Sequence, residues 1–296
     1  MKRISVLLAL STALAAFMVA GATASLPSSV VYNAVPSPLP PNVASLGFQA
    51  TSTSQFGDYV HLAGTDRVLD SVTVTMSNWA LYSDYTSDAR YSGDSAYWTH
   101  PITVNVWDDD LDGNGVPTTL LATETQVVTI PWRPAADPTC PNGTAWRAGD
   151  GNCYNGIAFN ATFDMSSPAV TLPDDVIVGV AYNTNTWGYS PIGQPGPYES
   201  LNVGVATGQT ASVGTDNNTD GVFWDTVYPG YTAGFRADTG WSPNGTVNLQ
   251  ITATPTLVGP PTSTDQCKNG GWESFNNPSF KNQGDCVSYV VTNGSH

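Results

Sequence analysis

Ser71-Val72-Thr73-Val74-Thr75-Met76 is the stretch whose reading decides the fold. Val72, Val74 and Met76 alternate with hydroxyl residues, so an extended chain turns an apolar row to one side and hydrogen-bonding groups to the other. β-Branched residues hold few rotamers and pack well on a pleated surface, which favours a strand over a helix here. The same two-residue period returns in Ile102-Thr103-Val104-Asn105-Val106 and again in Val247, Leu249 and Ile251. Working outward, strands are expected near residues 30–35, 43–50, 58–64, 67–80, 102–108, 119–131, 156–164, 176–184, 200–206, 222–228 and 247–254. Asp112-Gly113, Asn114-Gly115, Asn142-Gly143, Asn155-Gly156 and Asn244-Gly245 supply turn chemistry between them. No segment sustains a 3.6-residue apolar stripe. The pattern predicts an all-β, antiparallel, jelly-roll-like sandwich.

Composition points the same way. The chain has 296 residues with 28 Gly, 22 Pro and a net charge of −15. Glu124, Glu199 and Glu273 are the only glutamates among its 24 acids, and aspartate favours turns and caps over helix interiors. After Lys2, the only lysines are Lys268 and Lys281. Such acidity repels phosphate backbones and anionic lipid, so nucleic-acid binding and membrane insertion are not expected.

The first residues set a compartment. Lys2-Arg3, the apolar run Ile4–Val19 and Ala22-Thr23-Ala24 have the basic, apolar and small-residue parts of a secretory signal over residues 1–24. A secreted, extracellular mature chain is expected to start near Ser25. In an oxidising compartment the four cysteines should be disulfide-bonded, and their clustering favours Cys140–Cys153 and Cys267–Cys286. The sandwich is assigned to residues 25–256. TPTLVGPPTSTD, ending at Asp265, marks a Pro-rich linker over residues 257–266, followed by a small disulfide-closed module over residues 267–296.

Two stretches carry resemblances. Cys267-Lys268-Asn269-Gly270-Gly271-Trp272 with Phe280-Lys281-Asn282-Gln283-Gly284-Asp285-Cys286-Val287-Ser288-Tyr289 resembles a short element that ends many secreted actinobacterial proteins. Pro36–Thr51, Asp66–Ala80 and Val176–Gly193 together resemble an uncharacterised secreted β-rich domain of bacteria and fungi. These resemblances imply export and a β-rich fold, and no activity.

Three sets of residues could carry function. Asp108, Asp110 and Asp112, followed by Gly113, copy the opening of a calcium loop and are candidate Ca²⁺ ligands, although Thr119 stands where a bidentate Glu would be needed. The segment 81–100 concentrates Tyr82, Tyr85, Tyr91, Tyr97 and Trp98 among Ser, Asp and Gly. Trp187 and Tyr189 sit in a second aromatic loop. Rigid aromatics beside adaptable polar groups suit a binding surface, so Tyr85, Tyr91, Tyr97, Trp98, Trp187 and Tyr189 are candidate contacts for an extracellular glycan or cell-envelope component. No nucleophile–histidine motif is present, and only His61, His100 and His296 offer imidazoles. Asp225 is the best candidate for a general acid. The reading is a secreted, non-catalytic recognition or surface protein that binds carbohydrate through aromatic loops. A structural envelope protein and a carboxylate-dependent glycoside hydrolase are the alternatives.

Overall fold

The structure, a computed structural model, describes residues 27–207 and 211–294, so the signal segment expected over residues 1–24 lies outside the described residues. Sixteen strands run in chain order. They are β1 (Ser29–Asn33), β2 (Ala44–Gly47), β3 (Thr53–His61), β4 (Val68–Asn78), β5 (Tyr97–Asp108), β6 (Leu120–Pro131), β7 (Trp146–Arg147) and β8 (Cys153–Tyr154), then β9 (Ile157–Asp164), β10 (Asp175–Ala181), β11 (Leu201–Ala206), β12 (Thr215–Asp216), β13 (Gly221–Thr226), β14 (Arg236–Thr239), β15 (Thr246–Val247) and β16 (Leu249–Thr254). Each expected stretch contains a strand, with its ends moved by up to five residues, but the stretch expected at 43–50 is strand only over Ala44–Gly47 and turns into a one-turn helix over Phe48–Thr51. The five missed, β7, β8, β12, β14 and β15, are two to four residues long.

Among the described residues, all pairings between these strands are antiparallel. In the first sheet β4 is the spine: β9 runs along one edge, and β16 and then β11 run along the other, with β1 outside β16 and β2 and β15 on β11. The second sheet runs β14-β13-β3-β10-β5-β6, with β12 added on β3. The chain crosses repeatedly between sheets, as a sandwich requires. Val72, Val74 and Met76 are fully buried, as the alternation predicts, and they share one core with Phe56, Val178 and Val104 of the opposing sheet.

Polar side chains also bridge the two sheets, among them Asn78 of β4, which donates to the Pro131 carbonyl of β6 at 2.7 Å. Asp58, fully buried on β3, accepts a hydrogen bond at Oδ2 from the Val247 amide of the first sheet, 2.9 Å away. Burial and the neighbouring carboxylate of Asp216 push the Asp58 carboxyl well up, against the pull of the Val247 and Tyr59 amides. Tyr32 of β1 is buried on the same side, and its phenol is raised by burial and by both carboxylates.

Both expected disulfides are formed, Cys140–Cys153 and Cys267–Cys286. In the C-terminal module, Cys267 ends a short 3-10 turn and Cys286 lies in α1 (Gln283–Val291). The absence of a long apolar stripe hid this helix. Its sign is the cap, where the Asn282 side chain accepts from the Asp285 amide at 2.9 Å. The preceding segment is not a free linker: Val258 receives the Asn276 amide and donates to the Asn276 side chain at 2.7 Å. No helix among the described residues is long and apolar enough to cross a membrane.

Candidate functional site: the outer face of the second sheet

Residues paired across an antiparallel ladder share a face, so the register shows what the second sheet turns outward. One outward row is Asp225, Gln55, Ala181, Thr103 and Thr125. The next is Phe223, Gly57, Gly179, Asn105 and Thr123. Tyr59, Ile177 and Trp107 follow.

The two strand glycines are explained by close approach. A Cβ on Gly179 would lie 1.9 Å from Gln55 Nε2, so the Gln55 side chain is laid across that glycine. Gln55 is 1% exposed, and both its amide atoms are buried without a hydrogen-bond partner. Leaving such groups unpaired costs about 1–3 kcal/mol each. Asn105, also buried, accepts from the Thr123 hydroxyl at 2.7 Å. Asp225 accepts at Oδ1 from the Gly234 amide at 3.0 Å, which ties the 227–235 loop to the face. Asp225 thus holds a turn rather than pairing with Arg236.

The 184–193 loop folds over this polar patch. Its shape is set by Thr184 N to Trp187 O (2.7 Å), Ile192 N to Thr184 O (2.9 Å) and Ser190 N to the Asn183 side chain (3.0 Å). Gly188 has φ +114°, and a Cβ there would stand 2.3 Å from Asn183 Oδ1, so glycine is required. The loop presents Tyr189, which is 58% exposed and lies near enough to feel the Asn105 amide and the Asp225 carboxylate. Burial and then the Asp225 carboxylate push the Tyr189 phenol up, while the Asn105 amide opposes them. Trp187 is half-buried in the same loop.

On the other side of the glycines the face is closed. Phe223, Phe235 and Ile177 form a satellite core with Tyr59 and Trp107. The 108–118 hairpin seals it, with Gly115 O accepting from Ala237 N and the Tyr59 hydroxyl donating to Asp109.

That hairpin holds the candidate calcium ligands Asp108, Asp110 and Asp112, and the carboxylates of Asp110 and Asp112 are engaged within the turn. Asp110 accepts from the Thr118 and Thr119 hydroxyls, and Asp112 Oδ1 accepts from the Val116 and Asn114 amides at 2.9 and 2.7 Å. The Thr118 hydroxyl first lowers the Asp110 pKa, and the Val116 amide first lowers that of Asp112. Among the described residues no three His, Cys, Asp or Glu side chains group as a metal centre.

The long aromatic loop is a correction. Trp98 is 4% exposed, and Trp98, Tyr82, Tyr85 and Tyr91 pack around Trp132 with ring centroids 5.7–6.5 Å apart. Tyr85 and Tyr91 are pushed up to about 12, mainly by burial. Trp98 therefore belongs to the core, and the half-buried Tyr85 and Tyr91 pack against that core, because the buried Trp132, just after β6, gives the rings somewhere to pack. Tyr97, which points the other way from Trp98 on β5, stays 44% exposed. His100 is 5% exposed and stacks on Tyr198, and burial lowers its pKa, so it sits neutral against the Asn183 carbonyl at 2.8 Å. The sequence reading missed Gln55, Asn105 and Thr103, and the signal that could have found them is Gly57 and Gly179 inside otherwise apolar strands.

No protein-family model matches this sequence, and no curated protein or solved structure matches it either.

Proposed function

We propose that this is a non-catalytic recognition protein that binds carbohydrate on the outer face of its second sheet, outside the cytoplasm. The observation that carries the reading is Tyr189: an exposed ring on a hydrogen-bonded loop, beside a patch that holds the Asn105 amide, the Asp225 carboxylate and the Gln55 amide. A sugar offers an apolar ring face for the tyrosine and hydroxyls that both donate and accept for the polar groups beside it. The Gln55 amide, buried beneath this patch, has two N–H donors and a carbonyl acceptor without partners, which a ligand reaches only where the side chains above it move. Two disulfides support an oxidising compartment.

A glycan array followed by calorimetry tests the reading. Binding of at least one glycan is expected, with Tyr189→Ala weakening it about tenfold or more. The bound glycan should be recovered intact after long incubation. A panel with no binder would overturn the proposal, and release of shortened product would turn it toward the hydrolase.

A further inference from the structure

We infer that the ligand is the flat surface of an insoluble, neutral polysaccharide, lying along β5 and β6. This rests on the carbohydrate reading and specifies its physical form.

The observation is a strip continuous with the Tyr189 patch. Beyond Asn105 and Thr103 the outward face of these two strands is open to solvent. Thr99 stands opposite Thr129, Pro101 opposite Val127, and Thr103 opposite Thr125. Val127 is 69% exposed, and Tyr97 ends the row. From Tyr97 to Thr103 the strip runs about 20 Å along the strand. No charged residue faces outward along it, on a chain of net charge −15.

The strip is also stiff and regular. The Thr103 and Thr125 hydroxyls bond each other at 2.8 Å, and the one break in register lies beyond it, at Val106/Trp107. β-Branched threonine and valine have little side-chain freedom to lose on contact. β6 is the last strand of the sheet, so no wall rises on that side. A soluble chain is held by a groove that surrounds it, whereas an open strip gains contact only from a partner that is itself flat.

Charge selects among flat partners. A second copy brings another −15, and an anionic polymer is repelled likewise. A neutral polysaccharide surface presents alternating C–H and O–H groups, which match methyl and hydroxyl of the threonine rows without desolvating a charge.

The test is partition of the full-length protein onto particles of cellulose and chitin, compared with soluble oligosaccharides of the same sugars and with carboxymethylated particles. Retention on neutral particles is expected, with weak retention on the carboxymethylated form. Val127→Glu should cut retention about tenfold or more, and Val127→Thr should preserve it. Val127 is exposed, and thermal melts of both variants show whether the fold is kept. If soluble oligosaccharides bind as well as particles and Val127→Glu changes nothing, the inference is overturned while the carbohydrate reading stands. If no sugar binds in either form, the carbohydrate reading falls as well. A wild-type dimer in gel filtration that Val127→Glu dissociates would assign the strip to a second copy instead, and would overturn the inference.

Discussion

Residues 81–98 and 184–193 have similar compositions, aromatics set among polar residues and Gly, and the first is tied to the chain just after the second, since Arg90 donates to Gln194 and to the Pro195 carbonyl at 2.9 Å each. Their rings nevertheless go opposite ways. The first loop turns its rings in around Trp132, and the second holds Tyr189 out. Composition sets how much contact a loop can make. The neighbouring strands decide whether that contact is made inside the molecule or outside it.

The contrast can be broken most sharply at Trp98. Trp98→Ala removes a buried ring from the Trp132 cluster and should cost about 3–5 kcal/mol in urea denaturation. A loss below 1 kcal/mol would return this loop to the surface.

Gly188→Ala comes next. It forces a side chain into φ +114° and against Asn183, so a loss of about 1–3 kcal/mol is expected. Glycan binding should fall with it, because Tyr189 is displaced. Unchanged binding would show that the loop does not position the ring.

Asp58→Asn probes the core beneath both loops through pH. Its folded pKa is raised, so above the ordinary carboxylate value the folded protein holds a proton that the unfolded chain releases. Stability from this group is complete below about pH 4 and is lost as pH rises toward the raised value. Asparagine still accepts from Val247 and cannot ionise. Denaturation curves from pH 4 to 8 should therefore lose part of their fall in the variant, and parallel curves would show that Asp58 is not the group responsible.

Tyr189→Ala should change stability by no more than about 0.5 kcal/mol while weakening the glycan. Equal losses of stability at Tyr189 and Trp98 would erase the contrast between the loops. The smallest effect is expected from calcium: with Asp110 and Asp112 engaged by their own turn, millimolar calcium should leave the melting temperature unchanged. A rise that Asp110→Ala abolishes would reinstate the ion.

The sandwich was legible because burial on one face imposes period two, and Val72, Val74 and Met76 carry it without exception. The short pairings were not, since two-residue strands such as β12 and β15 are set by the strand they meet rather than by their own pattern. Helix α1 was hidden by its length, too brief to repeat an apolar stripe, although Asn282 and Asp285 marked its cap. At the candidate site Tyr189 was legible as an aromatic on a Gly-containing loop. Gln55 was not, because its meaning depends on Gly179 of a strand more than a hundred residues away. The loop around Trp132 failed for a related reason: an irregular segment has no period from which to read direction.

The pairing of β1 with β16 bears on force. Ser29 lies opposite Ala253 and Asn33 opposite Gln250, so the chain enters β1 and leaves β16 at the same end of the pair. Tension between the segments before Ser29 and after Thr254 would load these hydrogen bonds one after another, as a zipper opens, rather than all together in shear. β1 would peel first and uncover Val31 and Tyr32 while the strip on the other sheet stays intact. Tension applied through both ends of the sandwich would thus reach its first strand before it reached the second sheet.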